Sequence, residues 1–291
     1  MNRTVLMSGV EWFDDSQAIN PFMDSSHAVD VPMARSEHNA IKDALQHAGV
    51  QVISVDAPTH CQDGVYTANW ALVRGNEAIL SRLPNARKAE EAYAEKVLRD
   101  LGKTIYKPPH GLRFSGQGDA LPCGEYLFAG SGYRTDLAVH DFIAKTLNYR
   151  VISLQTIPQT NQFGKPVINP VSGWPDSFFY DIDLALAVLR PPDGKQKGLI
   201  AWCPAAFMPA SRTKIQRLEM VEKIEVSIQE AKSAFACNVV STGHTVLMSA
   251  QAPQLRAELE KHGFKVVTLP IFELAKGGGY IRCTTLTLDN P

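Results

Sequence analysis

The chain of 291 residues has no long apolar run, no surplus of basic charge, no paired-cysteine spacing and no low-complexity linker. Each absence removes a class of function. The longest apolar stretches, Val65 to Val73 and Leu184 to Leu189, fall far short of the roughly 20 residues that a membrane helix needs. A net charge of -1, with both signs spread evenly, leaves no basic stripe to hold nucleic acid. Five cysteines, Cys61, Cys123, Cys203, Cys237 and Cys283, are odd in number and lack CxxC spacing, which argues against a disulfide framework and a structural zinc site. Met1 to Ser8 carries one arginine and is followed by Glu11, Asp14 and Asp15, so it reads as a first strand rather than a secretory leader. We therefore expect a cytoplasmic protein that binds neither membrane, nucleic acid nor metal. Self-association into a homo-oligomer stays open.

What is present is a rhythm. Short apolar runs of strand type alternate with amphipathic helical stretches along the whole chain, which predicts one α/β domain over residues 1–291. Residues 33–48 have helical spacing, with Ile41, Leu45 and Ala48 on one face, and lead through Gly49 to a strand at 50–55. The second cycle has strands at 65–73 and 78–80, a helix at 87–101 and a strand at 104–107. The third has strands at 120–121 and 126–129, a helix at 135–147 and a strand at 150–154. The fourth has strands at 180–189 and 199–202, a helix at 211–223 and a short segment near Ser227. The fifth has strands at 236–241 and 245–249, a helix at 252–262 and a strand at 265–269. Repetition of β-β-α-β at about 50 residues per cycle suggests a radially repeated architecture, although the alternation by itself also fits an ordinary α/β fold. Residues 155–177, rich in proline and without periodicity, interrupt the rhythm as a long loop of functional type.

Polar residues gather at the ends of the predicted first strands. They are Asn20-Pro21-Phe22-Met23, Asp63 to Asn69, Ser115 to Asp119, Tyr180-Asp181-Ile182-Asp183, Ala236-Cys237-Asn238, and Gly277-Gly278-Gly279 ahead of Cys283. Repeated strands that each contribute one such cluster converge on a common centre. A thiolate nucleophile needs close approach of substrate and an electropositive neighbour, and the three glycines with Arg282 suit both demands. The same residues also describe a glycine hairpin before a buried strand cysteine.

This order of clusters resembles the guanidino-group modifying enzymes, the amidinotransferase or pentein superfamily. Ile19 to Met23, Val65 to Asn69, Ala129 to Arg134, Phe235 to Asn238 and the Gly-Gly-Gly…Arg-Cys-Thr-Thr-Leu ending are most similar to the arginine dihydrolase and dimethylarginine dimethylaminohydrolase branch. The resemblance implies a five-bladed, pseudo-symmetric α/β propeller of ββαβ modules. It implies a hydrolase without cofactor that breaks a guanidine or amidine C–N bond through a thiouronium on Cys283, acting on a small guanidino or ureido compound. Transfer of the amidino group to an amine stays open. Asp63 and Asp183 would then bind the guanidinium and Arg134 the substrate α-carboxylate. Asn69 and Asn20 match asparagines of the dihydrolase branch, and each is equally an ordinary turn residue.

Two departures fall at the centre of the implied site. Asp181 stands where the family pattern has its proton-shuttling histidine, and Ser115 stands where it has a glutamate that contacts substrate. Together they conserve the charge of the pocket, and a desolvated Asp181 is the candidate replacement acid. A catalytically silent binding protein on the same fold is the competing reading. Among the eight histidines, His110 lies nearest a site cluster, and the others read as exposed turn or helix-end residues. Trp12, Trp70, Trp174 and Trp202 read as core or lid packing. Cys237 reads as a buried strand residue. Gly116-Gln117-Gly118 is no phosphate loop, since neither a helix nor a lysine follows it.

Overall fold

The computed structural model describes residues 1–24 and 26–291. Its strands form five separate three-stranded sheets. In chain order, β1 (Thr4–Met7), α1 (Val31–His47) and β2 (Gln51–Ser54) make most of the first module. The second contains β3 (Ala71–Arg74), β4 (Glu77–Leu80), α2 (Glu90–Asp100) and β5 (Thr104–Tyr106). The short helix α3 (Gly116–Asp119) leads into the third, β6 (Ala120–Cys123), β7 (Tyr126–Gly130), α4 (Val139–Leu147) and β8 (Arg150–Leu154). The fourth has β9 (Leu186–Arg190), β10 (Gly198–Trp202), α5 (Pro209–Gln216) and β11 (Val221–Glu225). After α6 (Ile228–Ser233), the fifth has β12 (Val240–Ser241), β13 (Thr245–Ser249), α7 (Pro253–Lys261) and β14 (Lys265–Leu269). The helix α8 (Glu273–Lys276) and strand β15 (Leu286–Thr287) end the chain.

Every sheet repeats one pattern. The first strand pairs antiparallel with the second, and the second pairs parallel with the third across a helical crossover. In the first module the missing strand is β15, which pairs antiparallel with β1 and brings the two ends of the chain into one sheet. The result is the five-bladed α/β propeller of ββαβ modules.

Local chemistry explains the elements. Asp30 caps α1, its Oδ1 accepting from the Met33 N–H at 3.0 Å, and Pro32 sits in the first turn, where no backbone donor is required. The buried face of α1 recurs at Ala34, His38, Ile41 and Leu45, the helical spacing. The second strands, such as Gly198–Trp202 and Thr245–Ser249, are buried along their whole length, as expected of a strand flanked on both edges and covered on both faces.

Three predicted first strands start later than their apolar runs suggest. Strands expected from 65, 180 and 236 begin at Ala71, Leu186 and Val240, and 3-10 turns at Thr67–Trp70 and Ile182–Leu184 precede two of them. The physical reason is that the polar residues bond to other modules rather than along a ladder. The Thr67 hydroxyl, for example, reaches both Leu6 O and Thr284 O at 2.9 Å. Cys237 accordingly lies in a turn, although it is buried as expected. The helix expected to 223 ends at Gln216, and Val221–Glu225 is a strand, with Val221 and Ile224 buried, that pairs parallel with β10. Residues 155–177 carry no helix or strand and are tied by isolated bridges at Thr160–Pro166 and Ile168–Pro175. Trp70 and Trp202 are core residues, whereas Trp12 is 40% exposed and tilts against His60.

Candidate active site

The end of the chain approaches the centre through glycines because nothing larger fits. A Cβ on Gly279 would lie 2.5 Å from the Tyr66 ring, and Gly278 has φ +84 with the Asn20 side chain beside it. The turn that follows presents Cys283, which is buried. Asn238 holds it at two points: its Oδ1 accepts from the Cys283 backbone N–H at 3.1 Å, and its Nδ2 donates to the sulfur at 3.1 Å. The sulfur in turn donates to Asp183 Oδ2 at 3.4 Å. Burial, and then the Asp183 carboxyl, push the Cys283 thiol well above its ordinary range. The expected help from Arg282 is not arranged in this way. Its guanidinium points to Thr285 O at 2.6 Å and Gln117 Oε1 at 2.8 Å, so in the ligand-free site it tethers the turn and leaves the thiol protonated.

All eight residues singled out in the sequence, Asn20, Asp63, Asn69, Ser115, Arg134, Asp181, Asp183 and Cys283, are buried, between 1% and 6% exposed. Asn69 Nδ2 donates to Asp181 Oδ2 at 2.7 Å and to Ser115 Oγ at 3.0 Å. Its amide cannot be turned over, because Arg87 donates to its Oδ1 at 2.8 Å. Arg87 is itself fixed by Glu90 at 2.7 and 2.8 Å, and Glu90 accepts from the Trp70 indole. Arg134 lies 3.9 Å over the Tyr180 ring and donates to Ile19 O. Asn20 donates to Gly277 O at 3.0 Å and accepts from Phe22 N–H, so in this state it braces the glycine loop and its own turn.

The electrostatics are those of a cluster of buried carboxyl groups. Burial pushes Asp63 up to about 6, with Arg87 opposing, and pushes Asp183 up to about 8, helped by Asp181. Asp181 and Asp119 are raised by the same desolvation. Asp119 Oδ2, Asp181 Oδ1 and Asp183 Oδ1 are buried without hydrogen-bond partners. Buried carboxyl oxygens without protein partners suit a planar cation with several N–H donors.

No histidine hydrogen-bonds to Cys283, Asp181 or Asp183 among the described residues. His110 and His244 are exposed. Against the expectation of exposed positions, His38 and His140 are buried within α1 and α4, and His140 is held by Ser153 and Gly130.

The propeller and a cysteine enclosed by carboxyl groups define the pentein class of guanidino-group modifying proteins. A family model described as N,N dimethylarginine dimethylhydrolase, eukaryotic, matches residues 13–168. The bifunctional arginine dihydrolase/ornithine cyclodeaminase AgrE of Nostoc sp. is 32% identical over 98% of this chain and 38% of its own length. The N(G),N(G)-dimethylarginine dimethylaminohydrolase of Mycobacterium tuberculosis is 31% identical over 98% of this chain and 86% of its own. The crystal structure of the N-terminal domain of ArgZ, an arginine dihydrolase from cyanobacteria, matches with a TM-score of 0.85 at 30% identity, covering 99% of this chain and 98% of that one. The chain belongs to the dimethylarginine dimethylaminohydrolase and arginine dihydrolase family. It spans about 38% of the length of the two bifunctional cyanobacterial relatives.

Two residues of the site gave little sign in the sequence. Asn238 stood in a polar cluster without a role, since nothing local shows that it meets Cys283 across 45 positions. Arg87 opens the charged helix expected at 87–101. Its spacing of three to Glu90 was the one available signal, and burial was the missing fact.

Proposed function

We propose that this chain hydrolyses a C–N bond of a small guanidino compound, with Cys283 as nucleophile. The reading rests above all on the buried thiol hydrogen-bonded to Asp183 within a set of unpaired carboxyl oxygens. A guanidinium entering this cage favours the ionised forms of the carboxyls and of the thiol, which burial otherwise holds protonated. Attack at the central carbon forms a tetrahedral adduct, ammonia or an amine departs with a proton from Asp181 to leave a thiouronium on Cys283, and water releases the product. Asp63, Asp181 and Asp183 bind the cation, Arg134 takes an acidic tail, and Ser115 with Asn69 orients Asp181. Asn20 moves from its bracing contacts only if the glycine loop opens. Residues 1–291 act as one unit in this reading, supported by the sheet that joins the two ends. The relatives' names make arginine and its methylated derivatives the first compounds to try. Ammonia or amine release from arginine, agmatine, methylarginines and citrulline tests the proposal, and Cys283→Ala should abolish any turnover. A blank result across all four counts against it.

One observation favours a second reading, a binding protein without catalysis: the position of the usual proton shuttle holds Asp181, which bonds Asn69 and not the sulfur. The pH dependence of Cys283 alkylation with a guanidino ligand bound separates the two. A thiol that stays protonated when the cage is full supports the binder. Restoring the family pair with Ser115→Glu and Asp181→His should then create arginine hydrolysis.

A further inference from the structure

Asp183 stands between two compartments. Toward the substrate side its Oδ2 accepts from the Cys283 thiol at 3.4 Å. Behind it, Asp183 also lines a partly open cavity of about 30 Å³, with Ala187 in its wall and Met1 and Asn290, both partly exposed, at its outer end. That volume is enough for one or two water molecules, and Asp183, Arg282 and Thr287 offer them polar partners. The second oxygen of Asp183, Oδ1, has no partner among the described residues. The substrate side is closed, with Cys283, Asp181 and Asp63 between 1% and 3% exposed.

A buried thiol that must ionise needs somewhere to send its proton. The hydrogen-bond partners of the sulfur are Asn238, a donor, and Asp183, so Asp183 is the acceptor in place. We propose that the axial cavity behind Asp183 is a water-filled proton route for Cys283, with Asp183 as the relay. The inference rests on the reading of Cys283 as nucleophile. The Asp183 carboxyl gives the proton on its Oδ1 to water in the cavity, from which it leaves past Asn290. As it does so, the S–H bond breaks with its electron pair left on sulfur, and an O–H bond forms at Asp183 Oδ2. No group is oxidised or reduced. The route gives the thiol proton an exit that needs no histidine: the relay is the carboxyl that touches the thiol, while Asp181 is bonded to Asn69.

Burial holds Asp183 at about 8, Asp181 adding to the rise and Arg282 opposing it, so the relay carries a proton at neutral pH in the empty site. Asp119, Cys237, Tyr180 and Cys283 are the other titratable groups that face it.

Hydrogen–deuterium exchange of the Asp183 carboxyl tests the route. In the ligand-free chain at about pH 6, where an ordinary aspartate is ionised, infrared spectra should show the C=O stretch of a protonated carboxyl that is lost in Asp183→Asn. On transfer to D2O this band should shift within the mixing time. Ala187→Leu, which fills the cavity, and Asn290→Leu, which closes its outer end, should each slow the shift at least about tenfold, because exchange then waits for the site to open. Equal rates in the parent and both variants overturn the route, as does absence of the protonated band. If Ala187→Leu does not fold, the rim variant decides. Protection of Cys283 from iodoacetamide by L-arginine or agmatine is measured in the same proteins. Slowed exchange without protection retains the route and removes the catalytic reading; protection with unslowed exchange does the reverse.

Discussion

Cys283 and Asn238 are joined twice, backbone N–H to Oδ1 and Nδ2 to sulfur, both at 3.1 Å. The second bond strengthens when the sulfur becomes charged, since hydrogen bonds to ions are worth about 1.5–3 kcal/mol. Asn238→Ala should therefore move the alkylation profile of Cys283 upward by about 1–2 pH units. It should also lower kcat about 10- to 100-fold while KM changes little. An unmoved alkylation profile would show that Asn238 only packs.

Stability should fall as pH rises through the neutral range. Asp63 and Asp183 titrate at about 6 and about 8 in the folded chain, above an ordinary aspartate at about 3.9. Between those values the folded state holds protons that the unfolded state has lost. The contribution is complete below the unfolded value and is lost as pH passes the folded one. Thermal melts of the ligand-free protein should decline from about pH 4 to about pH 8, and Asp183→Asn should flatten the upper part of that slope. A bound guanidino ligand should protect more at high pH than at low. A melting temperature that climbs across this window contradicts the assigned directions.

Arg87 and Glu90 form a fully buried pair, 1% and 0% exposed. Arg87→Met leaves Glu90 without its partner and frees the Asn69 amide, so urea denaturation should show a loss of about 3–5 kcal/mol. Removing the solvent-exposed Lys96–Asp100 pair should leave the midpoint unchanged.

A methyl group at position 118 strikes at the site rather than the fold. The Cβ of Gly118→Ala would collide with Asn69 Nδ2 and Asp181 Oδ2, separating the pair. Turnover should drop at least about 100-fold, the scale set by small misplacements of reacting groups, with the far-ultraviolet circular dichroism preserved. Wild-type turnover in this variant would remove Asn69 and Asp181 from the machinery.

Much of the propeller was legible because ββαβ modules write themselves in hydrophobic period. The strands at 150–154, 245–249 and 265–269 and the helices of α1, α2 and α7 follow their apolar spacing closely. Misreadings occurred where side chains leave the ladder. Val65 to Trp70 is apolar enough for a strand, but it turns so that Thr67 and Asn69 face other modules. Val221–Glu225 reads as the end of a helix because its buried residues, Val221 and Ile224, lie three apart, a spacing that also fits a helix face.

The sequence by itself determined the repeated modules, the family resemblance, the candidate cysteine and the substitution of Asp181 and Ser115 at the site centre. These are properties of residue type and order, and they survive without coordinates. Tertiary structure decided which carboxyl touches the thiol, that Asn238 clamps it, that Arg282 faces Gln117 and Thr285, and that Arg87 is buried. Each depends on residues far apart in the chain meeting in a dry interior, where hydrogen bonds and burial set charge states that no local pattern records.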